Sequence, residues 1–282
     1  MSLILDKINY YYGKGTAFES KALKNISLSI PDGEFIGLIG HTGSGKSTLI
    51  QHMNGLIKAD FGNVYYNGQD IYDKDFKMTE LRRKVGLVFQ YPEHQLFEED
   101  VFSDVCFGPT NLGLARSEVE LRAYNALKAV GIGDDQFYVS PFDLSGGEKR
   151  RVAIAGVLAM KPEILILDEP CAGLDPKGRD EILGMADDLH DNYGITIIIV
   201  SHSMEDLAEH AKRLLVMNEG ELVMDGTARQ VFSYRRELED MGLAVPCATA
   251  VMSDLRAMGL PVRDDLITIE EAEKEILRLF GR

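Results

Sequence analysis

Nine consecutive residues, Gly40-His41-Thr42-Gly43-Ser44-Gly45-Lys46-Ser47-Thr48, have the types and spacing needed to hold a polyphosphate. They fit the pattern G-x-x-x-x-G-K-[ST]. Glycines at 40, 43 and 45 leave the backbone free to turn successive N–H groups inward on phosphate oxygens. Lys46 supplies a point charge for the outer phosphates, and the Ser47 hydroxyl suits Mg²⁺. Farther along, Asp168 and Glu169 end the apolar run Ile164-Leu165-Ile166-Leu167. A carboxylate at 168 can hold Mg²⁺, directly or through water. Its neighbour at 169 can take a proton from, or orient, an attacking water. Leu144-Ser145-Gly146-Gly147-Glu148 opens a helical stretch, and Ser145 with two glycines makes a second anion site at a helix N-terminus. One nucleotide has little use for two such sites in one chain. The second is therefore expected to close over a nucleotide held by another subunit.

The elements that must position these groups are legible around them. Glu34–Ile39 reads as a buried strand entering the loop, and Ser47–Met53 as the helix leaving it, its N-terminus facing the anion. The first thirty residues alternate around Ile8, Tyr10 and Tyr12, then Leu23, Ile26, Leu28 and Ile30, which predicts antiparallel strands beside the nucleotide core. Val85–Phe89 is a further buried strand. From about 91 to 160 the pattern is helical. Ser117-Glu118-Val119-Glu120 reads as a capping box before apolar Val119, Ala123, Leu127 and Val130, with Gly131 as the stop. Ile164–Leu167 and Ile195–Val200 are continuous apolar runs, as parallel strands covered on both faces require. Leu214–Met217, Asn218-Glu219-Gly220 and Glu221–Met224 read as a hairpin. Beyond Thr227 helical patterning returns, and Thr268-Ile269-Glu270-Glu271 caps a last amphipathic helix carrying Ile276, Leu277 and Phe280.

With 282 residues, 45% hydrophobic and 27% charged, the chain suits one large domain with a small appendage. A net charge of −15 argues against a primary nucleic-acid surface. No run of apolar residues is long enough to span a membrane. Met1–Lys7 lacks the basic start and cleavage site of a secretory signal. Cys106, Cys171 and Cys247 are odd in number and in no metal spacing, which suits a reducing, cytosolic compartment and small core side chains.

Taken in order, these motifs resemble the ATP-binding cassette (ABC) ATPases, the motor subunits of ABC transporters. The resemblance runs from about residue 3 to 230. Leu144-Ser145-Gly146-Gly147-Glu148 is similar to that family's signature LSGGQ, with Glu148 in place of Gln adding a negative charge near the closing surface. Gln90 matches the Q-loop, Asp175 in Ala172-Gly173-Leu174-Asp175 the D-loop, and His202 after Val200-Ser201 the switch histidine. Tyr12 stands where the family stacks an aromatic on adenine, although Tyr10, Tyr11 and Phe18 adjoin it. The resemblance implies an α/β P-loop NTPase cassette with a mixed-sheet core, an antiparallel β subdomain and a helical subdomain at about 91–160. It implies ATP and Mg²⁺, with Ser47, Gln90 and Asp168 on the metal. Glu169 and His202 would be catalytic, and residues 40–48 with Tyr12 and Gln90 would be ATP-binding. The signature 144–148 and Asp175 would act on the partner's ATP.

Gln90-Tyr91-Pro92-Glu93-His94-Gln95-Leu96-Phe97, Phe107–Gly113 and Gly15–Glu19 resemble more particularly the ATPases of energy-coupling factor transporters, including cobalt-import ATPases. That branch implies import of vitamins or transition-metal ions and a position on the cytoplasmic side of the cell membrane. Its partners would be a second ABC ATPase, a transmembrane coupling protein and a substrate-binding membrane subunit. It implies a cassette at 1–232 and a C-terminal helical extension at 233–282 that helps hold the ATPases together, with Glu93–Phe97 as a short helix meeting the membrane protein. Two other functions are weighed. A soluble ABC ATPase acting on nucleic acid or ribosomes would be expected to carry a long coiled coil or a second cassette, which this acidic chain lacks. A small-molecule kinase needs neither a signature in trans nor a carboxylate for a lytic water.

Overall fold

In the computed structural model, which describes residues 3–279, the phosphate loop sits where two sheets meet. β1 (Leu3–Tyr12) and β2 (Ser20–Ile30) pair antiparallel and bury Leu3, Leu5, Ile8, Leu23, Ile26 and Ile30, the alternation expected of them. β3 (Phe35–Ile39) is buried throughout and leads into the loop and α1 (Lys46–Met53). β4 (Phe61–Tyr66) and β5 (Gln69–Asp70) complete a four-stranded antiparallel sheet in the order β2-β1-β4-β5. α2 (Met78–Lys84) precedes β6 (Val85–Val88), and a 3-10 turn at Pro92–Gln95 opens the helical block of α3 (Val101–Asn111), α4 (Arg116–Ala129) and α5 (Gly146–Leu158). Then come β7 (Ile164–Asp168), α6 (Pro176–Asp191), β8 (Thr196–Val200), α7 (Met204–His210), β9 (Arg213–Asn218) and β10 (Glu221–Thr227). α8 (Ala228–Ser233), α9 (Arg235–Asp240), α10 (Cys247–Ala257) and α11 (Ile269–Leu279) follow. Phe280 lies outside the described residues.

The second sheet has the order β10-β9-β3-β8-β7-β6, parallel except for the β9–β10 hairpin. Ile164 to Leu167 are 0% exposed, and burial of each such side chain contributes roughly 1.5–3 kcal/mol. One face packs on helices and the other on α1 and the antiparallel sheet, and this double cover is what makes these runs apolar throughout. The register aligns Asp168 with Val200, and Val200 with Leu38. Residues 40–45, 168–169 and 202 therefore leave the sheet from one carboxyl edge, where parallel sheets bind ligands.

Two capping expectations need correction. α4 starts at Arg116, before Ser117, with Ala115 as the capping residue and no side-chain cap. The Ala115 carbonyl accepts both the Glu118 and Val119 N–H groups, and Glu120 receives Arg116 Nε at 2.7 Å instead of a backbone amide. The apolar stripe still faces inward as expected. At α11, Thr268 Oγ1 accepts from the Glu271 N–H, but the Glu271 carboxylate reaches past Thr268 to the Ile267 N–H. In the tail, Leu238, Leu243 and Val245 belong to the main core, and a separate small cluster around Met252 and Leu266 begins at Ala248. Arg229 on α8 ties this cluster to the cassette through Glu271 at 2.6 Å.

Candidate active site

The loop has room for backbone alone at two places. A Cβ at Gly45 (φ 105°) would lie 2.8 Å from the Ala22 carbonyl, and one at Gly40 would lie 2.4 Å from the Met217 carbonyl. Crowding by β2 and β9 thus demands glycine there. Lys46 opens α1 and folds back across the loop, its Nζ donating to the Gly40 carbonyl at 2.6 Å and the His41 carbonyl at 3.1 Å. Burial pushes its ammonium pKa down, while the charges of Glu169 and Asp168 oppose that fall.

An open cleft of about 850 Å³ is lined by Thr42, Gly43, Gly45, Lys46, Ser47 and Thr48, and also by Tyr12, Gln90, Asp168, Glu169 and His202. The structure therefore brings together most of the residues singled out from the sequence. Of the four candidate aromatics, Tyr12 is the one lining the cleft, its hydroxyl 3.1 Å from Thr48 Oγ1. Tyr10 packs on His52 instead. His41 and Ser44 support the loop from outside the cleft. The His41 ring meets Asn218 Oδ1 at 3.1 Å, and Ser44 is fully buried.

Glu169 follows β7 with a left-handed backbone (φ 50°), and its N–H donates to the Val200 carbonyl. Its Oε1 lies 3.2 Å from His202 Nε2, in contact but not aligned as a hydrogen bond, so this buried oxygen has no donor. Burial first, and then the Asp168 charge, push the Glu169 carboxyl up to about 7, against the pull of Lys46 and of the His202 backbone N–H. Burial also raises Asp168 and lowers His202, the latter helped by Lys46. A carboxyl that titrates near neutrality beside a polyphosphate loop can act as a base for water.

Ser145, Gly146, Gly147, Glu148 and Asp175 line a separate groove of about 520 Å³, which shares no residue with the first among the described residues. Leu144 is buried beneath it. Ser145 caps α5, and Glu148 turns back on it: Glu148 Oε2 accepts from the Ser145 hydroxyl at 2.6 Å and from the Ser145 N–H at 2.8 Å, while Gln136 donates to Oε1 at 2.7 Å. These donors, the Ser145 hydroxyl foremost, hold the Glu148 carboxyl below the usual range. The added negative charge is thus bound by its own chain. Asp175 caps α6 through the Gly178 N–H at 2.8 Å.

Leu96 and Phe97 separate. Leu96 is 7% exposed in the main core, whereas Phe97 is 58% exposed, its ring edge-on to Phe107 at 4.9 Å. One residue of consequence escaped the sequence reading. Arg150 is almost fully buried on α5 and joins Glu93 to the loop after Glu169. Its signal is a stripe: Arg150, Ile154 and Leu158 recur at every fourth position on the buried face of α5.

Residues 23–172 match the ABC transporter family. The chain is 54% identical to the energy-coupling factor transporter ATP-binding protein EcfA2 of Caldanaerobacter subterraneus, over 99% of this chain and 97% of that protein. It is 54% identical to the protein of the same name from Clostridium tetani, over 100% and 98%. Among solved structures it resembles cbiO1 of Clostridium perfringens, part of the ABC transporter complex cbiONQ, with a TM-score of 0.74, 39% identity, and 84% and 93% of the two chains covered. It also resembles the dimeric ATP-binding cassette MJ0796 in a post-hydrolysis state bound to ADP and Pi, with a TM-score of 0.70, 30% identity, and 80% and 98% covered. With its phosphate loop, acidic strand end and signature groove in one cassette, the chain belongs to the ABC transporter family, among the ATP-binding proteins of energy-coupling factor transporters.

Proposed function

We propose that Glu169 positions and deprotonates the water that attacks ATP in the motor subunit of an energy-coupling factor importer. The observation that carries this is a buried carboxyl titrating at about 7, on the same cleft as Lys46 and in contact with His202. His202 would report the terminal phosphate to Glu169, and Lys46 with the amides of residues 40–48 would bind the phosphates. Tyr12 would stack on adenine. Ser47, Gln90 and Asp168 offer the cleft a hydroxyl, an amide and a carboxylate, an oxygen donor set that fits Mg²⁺. The described residues hold no cluster of three metal-binding side chains, so phosphate and water would supply the remaining ligands. Bound there, Mg²⁺ would neutralise charge on the outer phosphates.

The phosphate cleft and the signature groove lie apart in one chain, which supports a pair of ATPases in which Ser145 of one closes over the ATP of the other. We place the second ATPase as a paralogue or a second copy, with residues 233–282 helping to hold the pair. The remaining partners are a transmembrane coupling protein and a substrate-binding membrane subunit, and the cargo class is vitamins or transition-metal ions such as cobalt. The chain would sit peripherally on the cytoplasmic side of the membrane. None of the described helices is long and apolar enough to cross it. Action on nucleic acid or ribosomes is not favoured for a chain of net charge −15. The decisive test is ATP-driven uptake into vesicles by the co-purified membrane complex. A complex that hydrolyses ATP yet moves no cargo would reject this reading.

Two outcomes are expected at this stage. A base must be ionised to act, and half of Glu169 is protonated at about pH 7. The kcat/KM of the ATPase should therefore fall about tenfold per pH unit on the acid side of that value. An acid limb near pH 4.5 would place the base elsewhere. At the membrane-facing turn, Phe97→Ser should leave the melting temperature unchanged and weaken assembly with the membrane partner. Leu96→Ser, which puts a hydroxyl and a void in the core, should cost about 2–5 kcal/mol of stability. Equal melting of the two variants would refute the separation of these side chains.

A further inference from the structure

We infer that Arg150 is a positioning residue that locks three functional segments into one moving body: the signature helix, the turn after Gln90, and the loop after Glu169. Arg150 sits on α5, five residues beyond Ser145, and is 2% exposed. Its guanidinium forks onto Glu93, with Nη2 on Oε1 at 2.7 Å and Nε on Oε2 at 3.1 Å. Nη1 turns the other way and donates to the Pro170 and Ala172 carbonyls, both at 2.8 Å. These carbonyls lie in the segment that leaves Glu169. Tyr91, left-handed at φ 55°, carries its ring 5.9 Å from the guanidinium, and His94 stacks on that ring. Burial pushes the Glu93 carboxyl up, but the hydrogen bonds from Arg150 outweigh it and leave the group below its usual range.

The physical reason for arginine is geometric. A planar fork can satisfy a carboxylate and two carbonyls at once, whereas a lysine ammonium is a point donor at the end of a flexible stem. Bulk stability is a weak explanation, since a buried ion pair often gains little over an apolar replacement. Among the described residues, the hydrogen-bond pattern identifies no other side chain common to the three segments it joins. A shift at the Glu93 turn is thereby transmitted to the carbonyls next to Glu169 and to the helix that presents Ser145. This inference rests on the transport reading above, because Glu93 lies in the turn assigned to the membrane partner.

The test uses the assembled membrane complex in vesicles, and the ATPase pair alone, with Glu93→Gln, Arg150→Lys and both together. Glu93→Gln keeps the grip of Arg150 on the two carbonyls. It should leave KM and kcat of the pair near wild type while cargo moved per ATP falls about tenfold, within the usual size of coupling between sites. Arg150→Lys should lower kcat with KM unchanged and lose coupling as well. In the double variant, Glu93→Gln should add nothing to the coupling loss, as expected for one unit. Wild-type cargo per ATP in Glu93→Gln overturns the inference. So does a parallel fall of melting temperature, ATP affinity and kcat in both single variants, which marks a packing role only. A wild-type complex without ATP-driven uptake would remove the transport reading, and this inference with it.

Discussion

Glu169→Gln is expected to keep ATP bound and to lose turnover by about 10²–10⁴, the usual worth of a positioned acid or base. The amide preserves shape but cannot accept the proton of water. Steady-state ATPase measured against nucleotide binding checks this, and normal turnover would reject Glu169 as the base. The same substitution should change stability in a pH-dependent way. The folded carboxyl titrates at about 7 and the unfolded one near 4.5, so its raised value contributes no penalty below 4.5 and destabilises the fold as pH rises through 7. Removing the charge should therefore stabilise the free protein at pH 8, by on the order of 3 kcal/mol, and leave it unchanged at pH 4. Melting curves at the two pH values decide the matter. A variant less stable than wild type at pH 8 would mean that the buried charge is better satisfied than its unpartnered Oε1 indicates.

Lys46→Ala should weaken ATP binding the most. Each charge-assisted contact to phosphate is worth about 1.5–3 kcal/mol, so losing contacts to two phosphates should reduce affinity at least a hundredfold, since 1.4 kcal/mol is a factor of ten. Titration with a fluorescent ATP analogue measures it, and unchanged affinity would defeat the loop assignment. A second consequence separates this site from a generic anion pocket. Lys46 holds the Glu169 carboxyl down. Without that ammonium, Glu169 titrates higher, and the acid limb of the remaining activity should move to higher pH.

What the sequence disclosed was what is local. The phosphate loop, the Asp168-Glu169 strand end and Ser145 with its glycines are each written within a few residues, and each stands where it was expected. The apolar runs of β7 and β8 disclosed a doubly covered sheet because nothing else needs so many adjacent branched side chains. β4 went unread because only Val64 and Tyr66 in it are buried, too short an alternation to register. Ser117 misled because a local capping pattern was overridden by a better start two residues earlier, capped at Ala115, where Arg116 meets Glu120. The opposite fates of Leu96 and Phe97, and the clamp at Arg150, are set by contacts with distant segments. Glu93 and Arg150 stand 57 residues apart, and no window of sequence holds both.

The two grooves of this cassette have a kinetic corollary. If the phosphate cleft of one chain is completed only by the signature groove of another, an isolated molecule carries two half-sites and no whole one. Specific activity would then vanish on dilution and climb in proportion to concentration, the total rate climbing with its square, until pairing saturates. The membrane scaffold, by tethering two such motors side by side, would abolish that dependence and make the engine insensitive to how scarce it is in the cell.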